Sequence, residues 1–384
     1  MYGNEFEEPA PTPFQFRTPD TRFGDGVSSD LEGSLDRYGV SKPLFVTDRG
    51  VEAAGILDTV TGAIDVSPVT YYASTEPSTD DFDDLPTEDV DSVVAVGGGS
   101  CLDTAKLAAA LLAHGGHPSE YIGVDNVPGP VAPLFAVPTT SGTGSQATQT
   151  AVIHHEGIKR GASDEYLRPD VALVDPELTF GLPRDVTARS GFDAFVHALE
   201  SLLARDYRWV EERPITYQGA NPVSRILARR ALLLVHGSLE RAVFDGEDRA
   251  ARRAMSLGSH LAGTAFSVSG LGAVHALAST VGGMTDRPHG ECLAVSVRAG
   301  LSYNSPVRYD EYCTIARMLL DDGGSDTPPE ALIAECERLR DSIGLPGSPE
   351  AFGLERSNVD TIVENTLVQD RRLATNPRTV TDDL

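Results

Sequence analysis

Two residues able to bind a metal lie four positions apart in an otherwise apolar segment. The segment Gly191–Glu200 has the sequence GFDAFVHALE and contains Asp193 and His197. Residues at positions i and i+4 project from the same face of a helix, so the two side chains point the same way. A carboxylate in an apolar environment is costly unless it is paired or metal-bound, so this pair predicts a further partner.

Two more histidines follow in apolar surroundings. GLGAVHALASTVGGMTDRPHGECLAV places His275 in a second helical stretch and His289 fourteen residues later, directly after Pro288. Three imidazoles and one carboxylate suit a divalent transition metal such as Fe²⁺ or Zn²⁺. Taken singly, each histidine is more often a core or surface residue. Asp193 taken singly is more often a helix cap, and it could pair with Arg189, so only the whole set predicts a metal site.

A glycine-rich turn separates a strand-like run from a helical run in SVVAVGGGSCLDTAKLAAA. Its four small residues are Gly97, Gly98, Gly99 and Ser100. Glycines let a backbone approach an anion closely, and a helix N-terminus offers free N–H groups, so a diphosphate fits there. For a lone GGGS, an ordinary strand-to-helix turn is the simpler interpretation.

Three charged residues near this turn favour a dinucleotide. Asp103 and Lys106 follow on the opening turns of the helix, and LFVTD ends an earlier strand in Asp48, an acceptor for a ribose hydroxyl. The usual GxGxxG fingerprint is absent, and the acidic residue precedes the glycines. A second loop, PTTSGTGSQAT (138–148), offers hydroxyls and amides that could line a cofactor site, although taken alone it is equally well only a loop.

The distribution of apolar runs predicts two domains. Strand-like runs alternate with helical ones up to residue 183, which predicts an α/β domain with a mainly parallel sheet over 1–183. Long Ala/Leu/Arg segments then predict an all-helical domain over 184–384. Residues 1–13 are polar and proline-rich, and we expect them to be frayed. The predicted strands are 43–48, 92–99, 133–140 and 171–175.

The charge argues against several classes of partner. The 384 residues carry 57 acidic and 31 basic side chains, a net charge of −26, which argues against nucleic acid and against anionic membranes. No apolar run approaches the roughly 18 residues of a membrane span, and we expect a cytoplasmic protein. Four widely spaced cysteines form neither a disulfide framework nor a zinc ribbon. With only three lysines among 31 basic residues, the composition suggests a protein adapted to high salt.

Nine short motifs follow one another along the chain in the order in which a known protein family has them. They are FVTD, GGGSCLDTAK, VPTTSGTGS, RPDVALVDPELT, GFDAFVHALES, ANPVSRILA, GLGAVHALA, DRPHG and TNPR. From about residue 14 onward, the chain resembles the iron-containing (group III) alcohol dehydrogenases of the dehydroquinate synthase-like superfamily. The resemblance implies a Rossmann-like NAD-binding α/β domain followed by an all-α catalytic domain. It also implies an active site between them and a homodimer or larger homo-oligomer.

The resemblance implies roles for individual residues. Phe266 matches an aromatic residue near nicotinamide and substrate, and Ser279 stands where many members have a second histidine assigned to proton relay. The residues that match the metal ligands are Asp193, His197, His275 and His289. The residues on the cofactor side are Asp48, Gly97, Gly98, Gly99, Ser100, Asp103, Thr139, Thr140, Thr143, Ser145, Lys159 and Leu178.

The implied reaction is metal-dependent hydride transfer between an alcohol, aldehyde or ketone and a nicotinamide. A carboxylate at Asp48 would hydrogen-bond the 2′-hydroxyl of a ribose and repel a 2′-phosphate, which predicts NAD rather than NADP. The ligand set suits iron and zinc alike. Besides Ser279, the chain departs from the family at Gln146, where GTGSQ replaces GTGSE, and in a longer connection over 205–219.

Other functions on the same scaffold stay open at this stage. They are maleylacetate reductase, glycerol or polyol dehydrogenase, and a dehydroquinate synthase-like lyase. The lyase and the glycerol-phosphate dehydrogenases, which share this scaffold, need basic residues to hold a phosphate or several carboxylates. The chain after residue 183 has no lysine. A non-catalytic NAD- or metal-binding protein is the alternative from another class.

Overall fold

The computed structural model describes residues 13–62, 64–65, 68–156, 158–211, 216–322 and 326–384. They form two compact units. The sheet unit contains Arg17–Pro183 and Gly246–Gly263. The helical unit contains the described residues before Arg17 together with Arg184–Asp245 and Thr264–Leu384.

The sheet unit is built on six parallel strands in the order β1-β9-β6-β4-β2-β3. A smaller sheet has the order β5-β8-β7, in which β7 and β8 are antiparallel. The strands are β1 (Asp20–Phe23), β2 (Pro43–Thr47), β3 (Val69–Tyr72), β4 (Ser92–Gly97), β5 (Gly123–Val124), β6 (Leu134–Pro138), β7 (Thr150–His155), β8 (Ile158–Ser163) and β9 (Val171–Val174).

The four predicted strands correspond to β2, β4, β6 and β9, the inner strands of the large sheet. Side chains alternate between the two faces of a strand, and both faces of these strands are apolar. In β4, Val93 and Ala95 belong to one core cluster, whereas Val94 and Val96 belong to the other. The sheet is therefore covered on both faces, as expected for a parallel sheet in an α/β unit.

Among the described residues, four α-helices precede residue 183: α1 (Leu31–Tyr38), α2 (Arg49–Ala53), α3 (Ile56–Thr61) and α4 (Gly99–His114). Ten more follow in the part of 184–384 that the structure describes: α5 (Arg184–Leu203), α6 (Pro222–His236), α7 (Leu239–Phe244), α8 (Arg249–Ser269), α9 (Ala273–Thr285), α10 (His289–Asn304), α11 (Tyr309–Leu320), α12 (Glu330–Ser342), α13 (Val359–Leu367) and α14 (Asp370–Leu373). The predicted fold class, a parallel α/β part followed by a helical part, is confirmed. Among the described residues, no single helix is long and apolar enough to cross a membrane. The pair α8 and α9 satisfies those criteria only jointly, across a bend of 101°.

Helix α5 is largely buried in the helical unit. It packs against α6, α7 and α10, and its second half is buried on nearly all sides. Helix α10 also packs along α9. The residues that the sequence singled out on α5 therefore lie inside the helical unit, next to the starts of two other helices.

Candidate metal centre and glycine loop

Three helices of the helical unit bring the predicted metal ligands together. Asp193 and His197 are one turn apart on α5, His275 lies in the first turn of α9, and His289 is the first residue of α10. Gly290 lets α10 start close to α5, because a Cβ at this position would lie 2.8 Å from the backbone Cα and carbonyl carbon of Arg189.

The three histidines surround one carboxylate oxygen. Oδ1 of Asp193 lies 3.2 Å from Nδ1 of His197, 3.4 Å from Nε2 of His275 and 3.9 Å from Nε2 of His289. Ligand atoms of Asp193, His275 and His289 all lie within 4.8 Å of one another. His197 is not a member of that converging group, although it contacts Asp193. Its ring is stacked on His275, with ring centroids 4.4 Å apart.

The chemistry of these side chains fits a divalent cation. Asp193 and His275 are buried, and neither Oδ1 of Asp193 nor Nε2 of His275 makes a hydrogen bond among the described residues. Buried polar atoms without hydrogen bonds are costly, and a metal ion between them would satisfy both. One carboxylate with imidazole nitrogens is a donor set that iron(II) and zinc accept.

The electrostatics keep Asp193 charged. Burial alone would raise its pKa, but the neighbouring imidazoles, His197 foremost, outweigh burial and lower the pKa to about 2. Burial would lower the pKa of His275, yet its contacts with Asp193 and Glu200 raise it overall. The site therefore presents a carboxylate anion at neutral pH.

The two simpler interpretations of Asp193 do not hold. Asp193 lies in the middle of α5 and cannot cap it. Arg189 pairs with Asp185 and, at 3.5 Å, with Glu291. The carboxylate of Asp193 faces imidazoles, as the sequence pattern predicted.

Two residues that the sequence analysis did not assign hold the start of α9. Glu200 accepts hydrogen bonds from the backbone N–H groups of Val274 and His275 and lies 2.6 Å from Nδ1 of His275. Asn376 accepts one from the backbone N–H of Ala273 at 2.9 Å. The sequence contained a signal for Glu200, because it follows Asp193 by seven residues and shares its helix face. Asn376 lies in the TNPR motif, which contributes to the family resemblance but indicates no role for this residue.

Phe266 and Ser279 lie on the neighbouring helices. The ring of Phe266 on α8 is stacked on His197, with centroids 4.3 Å apart and an interplanar angle of 13°. Ser279 follows His275 by one turn on α9 and is partly exposed. It makes no hydrogen bond to the four predicted ligands in the described part of the chain.

The glycines of the predicted diphosphate loop form the junction of β4 and α4 in the sheet unit: Gly97 ends β4, and Gly99 begins α4. A Cβ at Gly97 would lie 2.6 Å from Cβ of Cys101, and one at Gly99 would lie 2.6 Å from Cγ2 of Thr143. A Cβ at Gly98 would approach Cγ2 of Thr140 to 3.3 Å. Packing within the protein thus already requires small residues here. Ser100, next in the chain, is half-buried on α4.

Asp48 is at the N-cap of α2, directly after β2. Its Oδ1 accepts hydrogen bonds from the N–H groups of Gly50 at 2.7 Å and Val51 at 2.9 Å. Its Oδ2 accepts one from the Cys101 thiol at 3.3 Å, which places it beside the glycine loop. The carboxylate therefore borders the loop and also stabilises a helix start.

Asp103 and Lys106 bind the second predicted cofactor loop from α4. Asp103 accepts hydrogen bonds from Ser145 Oγ at 2.6 Å and Val152 N at 2.9 Å. The fully buried Lys106 donates to Ser145 Oγ, to Thr148 Oγ1 and to the Thr150 carbonyl at 2.6–3.0 Å. Burial raises the pKa of Asp103 and lowers that of Lys106 to about 8.

The remaining residues predicted for the cofactor side have different surroundings. Thr139 is buried, with its N–H bonded to the Gly97 carbonyl, and Thr140 and Thr143 are half-buried in the same loop. Lys159 is on β8, where it forms an ion pair with Glu76 at 2.7 Å. Leu178 packs in the apolar core that covers one sheet face. Gln146, the departure in this loop, is buried beside Ser145.

The long connection over 205–219 is described except for residues 212–215. Trp209 is 72% exposed, whereas Tyr217 is buried and accepts a hydrogen bond from Arg371 at 3.0 Å. The ring of Tyr207 packs edge-on against Phe14. Through these contacts, the described part of the connection packs on the helical unit, to which Phe14 and Arg371 also belong.

Comparison with known proteins identifies relatives along nearly the whole chain. The family model "Iron-containing alcohol dehydrogenase" matches residues 18–176, and "Fe-containing alcohol dehydrogenase family, C-terminal" matches residues 187–384. The NAD-dependent methanol dehydrogenase of Bacillus methanolicus is 32% identical over 379 residues, covering 95% of this chain and 96% of the relative.

Two solved structures illustrate the structural similarity. A 1,3-propanediol oxidoreductase superimposes with a TM-score of 0.89 at 29% identity, covering 97% of each chain. An archaeal halo-thermophilic alcohol dehydrogenase from a Red Sea brine pool gives a TM-score of 0.83 at 27% identity, covering 97% of this chain and 96% of that one.

Proposed function

The chain belongs to the iron-containing alcohol dehydrogenase family, and on this premise we propose that it transfers hydride between NAD and a small alcohol, aldehyde or ketone. It is an oxidoreductase acting on CH–OH groups, and the cofactors of the family are NAD and a divalent metal. The observation that carries the proposal is the convergence of Asp193, His275 and His289, whose ligand atoms lie within 4.8 Å of one another.

We assign the metal to these three residues, with His197 as the fourth ligand. When bound, the metal would supply Lewis acidity toward the oxygen of the substrate, and the nicotinamide would supply the hydride acceptor as NAD or the hydride donor as NADH. Asp193 contributes the negative charge of the site, because its pKa of about 2 keeps it ionised. Phe266 lies flat on His197 and restricts the orientation of that imidazole. Ser279, one turn after His275, supplies a hydroxyl that can both accept and donate a proton.

We assign the cofactor to the residues around the glycine loop in 1–183, and metal chemistry to 184–384. The N-terminus of α4 offers backbone N–H groups to a diphosphate, and Asp48 borders the loop through its contact with Cys101. Asp103 and Lys106 act by holding the loop that contains Ser145. For Lys159 and Leu178, only the family resemblance supports a cofactor role.

The substrate class follows from the relatives rather than from a single residue. Proteins similar to this chain include a methanol dehydrogenase and a 1,3-propanediol oxidoreductase, so we infer an alcohol or the corresponding aldehyde as substrate. The lyase, the maleylacetate reductase and the non-catalytic binding protein are not favoured by these relatives.

We also infer a cytoplasmic homo-oligomer adapted to high salt. NAD(H) is an intracellular cofactor, which supports the location, and the family resemblance supports a dimer or larger assembly. The net charge of −26, the scarcity of lysine and the similarity to a halo-thermophilic enzyme support adaptation to salt.

The test uses Asp193→Asn with Asp185→Asn as a matched control on the same helix. Asp185 is mostly exposed and pairs with Arg189, so its loss leaves the metal centre intact. Each protein is stripped, reloaded with Fe²⁺ or Zn²⁺, and assayed for bound metal and for NADH oxidation with a panel of aldehydes and ketones. We expect the Asp193 variant to lose turnover by about 100-fold or more and most of its metal, because it lacks the anionic ligand.

The control should behave as the unmodified protein in both assays. Full metal content and turnover in Asp193→Asn would refute the proposed centre. Metal binding without turnover on any carbonyl in the unmodified protein would instead favour a binding protein.

A further inference from the structure

Glu200 makes three contacts at the start of α9. Its Oε1 accepts a hydrogen bond from the backbone N–H of Val274 at 2.8 Å. Its Oε2 accepts one from the backbone N–H of His275 at 3.3 Å and lies 2.6 Å from Nδ1 of that histidine. Glu200 is 5% exposed, so both oxygens are used inside the protein.

This geometry fixes the tautomer of His275. A carboxylate whose oxygens already receive backbone N–H groups accepts hydrogen bonds, so Nδ1 of the imidazole carries the proton. The lone pair of the neutral ring is then on Nε2. That atom lies 3.4 Å from Oδ1 of Asp193 and belongs to the converging ligand group.

The same carboxylate also holds the backbone of the ligand. Helix α9 follows Gly272, which has no side chain to cap it, and its first N–H groups are bonded by Asn376 and Glu200 instead. A Cβ at Gly272 would lie 2.6 Å from Oδ1 of Asn376 and 3.0 Å from Oε1 of Glu200. Glycine at this position therefore lets both acceptors reach the helix start.

We propose that Glu200 is the positioning residue of the metal centre: it fixes both the tautomer of His275 and the first turn of α9 that carries this ligand. The inference rests on the proposed function, because it assumes a metal held by Nε2 of His275. Glu200 and Asp193 have separate tasks on one helix, since Asp193 faces Nε2 and Glu200 faces Nδ1 of the same ring.

The test compares Glu200→Gln with Asn376→Ala. Glutamine keeps the size of the side chain but replaces one accepting oxygen by an NH₂ group, which only donates hydrogen bonds. The one remaining oxygen cannot accept hydrogen bonds from both the backbone N–H groups and the imidazole. Asn376→Ala removes a different acceptor from the same helix start and does not touch the ring. The measurements are Co²⁺ affinity by competition with a chelator, the ¹⁵N shifts of His275 in metal-free protein, and the Tm.

We expect Glu200→Gln to bind Co²⁺ about 10–100-fold more weakly and to lose the single Nδ1–H tautomer. Asn376→Ala should lower the Tm while Co²⁺ affinity changes by less than about threefold, because the orientation of the imidazole is unchanged. Affinity in Glu200→Gln within threefold of the unmodified protein, or a loss no greater than in Asn376→Ala, would overturn the proposal. If the unmodified protein binds no Co²⁺, the proposed function fails instead.

Discussion

Asp48 combines a structural and a predicted recognition role in one carboxylate. Oδ1 caps α2, while Oδ2 borders the glycine loop through Cys101. Asparagine caps a helix about as well as aspartate but carries no charge. We therefore expect Asp48→Asn to keep its thermal stability and to raise the ratio of kcat/KM for NADPH over NADH by about tenfold or more. Removing a like charge near a phosphate relieves roughly 1–4 kcal/mol.

Asp48→Ala separates the two roles of this residue. It should relax the cofactor preference to a similar degree, and it should also lower the stability by about 1 kcal/mol because the cap is lost. Steady-state kinetics with both cofactors and urea unfolding provide the two readings. An unchanged cofactor ratio in both variants would exclude Asp48 from ribose recognition.

Lys106 is a buried cation that is surrounded by hydrogen-bond acceptors. Three oxygens accept hydrogen bonds from its ammonium group, and Oδ1 of Asp103 lies 3.7 Å from its Nζ. Removing one partner of a buried charged group leaves the others without compensation, so we expect Lys106→Met to lose about 3–5 kcal/mol of stability. The control is Lys42→Met, because Lys42 pairs with Asp89 on the surface and should change the stability by less than about 0.5 kcal/mol. Urea unfolding measures both variants.

The stability conferred by Lys106 should depend on pH. Burial lowers its pKa in the folded state to about 8, compared with an ordinary value of 10.5. Between these two values the unfolded chain binds more protons than the folded one, so the folded state gains stability as pH rises. The difference in unfolding free energy between the unmodified protein and Lys106→Met should widen by up to about 3 kcal/mol from pH 7.5 to 10.5. A constant difference would contradict the lowered pKa.

At the scale of residues, the sequence pattern indicates those parts of the candidate metal centre that follow a local rule. Asp193 and His197 follow from i, i+4 spacing. His275 and His289 required the whole set of histidines, because nothing local links them to α5. The role of Glu200 was missed. Its spacing of seven residues from Asp193 indicates only a shared helix face, and no periodicity indicates its partners, which are 74 and 75 residues away. The binding of Lys106 to a second loop was missed for the same reason.

At the scale of elements, continuous apolar runs identified the inner strands well. β2, β4, β6 and β9 are buried on both faces, so their residues are apolar throughout. The outer strands β1 and β3 were missed, because their residues are exposed or half-buried and their composition is mixed. One of the long Ala/Leu/Arg segments, residues 223–244, reads as a single helical run, but it contains the two helices α6 and α7. Its apolar pattern did not predict the break at Gly237 and Ser238.

The position of α10 is set by the close approach at Gly290, directly after His289. A methyl group at this position would clash with the backbone of Arg189, which cannot move aside by changing a rotamer as a side chain can. We expect Gly290→Ala to move the start of α10 away from α5. The stability should fall by about 1–3 kcal/mol, and metal affinity should fall with it because His289 is displaced. Urea unfolding and Co²⁺ titration measure the two effects.

Gly283 provides the control for this prediction. It is an exposed helical glycine in α9, and no heavy atom lies within 4 Å of an added Cβ. Alanine there should leave metal affinity unchanged and stabilise the protein by up to about 1 kcal/mol, since glycine disfavours helix. Equal metal affinity of Gly290→Ala and Gly283→Ala would show that the approach of α10 to α5 does not position His289.

At the scale of the whole molecule, the charge sets up two opposing effects of salt. The net charge is −26, and repulsion among the excess acidic side chains destabilises the folded state. Salt screens this repulsion. Ion pairs on the surface, such as Arg298 with Glu337, stabilise the folded state slightly and are screened as well. Each exposed ion pair contributes little to stability. We therefore expect salt to stabilise the folded state by screening repulsion more than it destabilises it by screening ion pairs.

The Tm should therefore rise with KCl, by about 5 °C or more between 0.1 and 2 M. Screening also predicts the shape of the rise. The Debye length falls from about 10 Å at 0.1 M to about 3 Å at 1 M, so most of the gain should come below 1 M. A steady linear increase that sucrose reproduces would instead indicate solute exclusion from the surface. A Tm that is equal or lower in 2 M KCl would mean that ion pairs outweigh the repulsion, and the proposed adaptation to salt would be wrong.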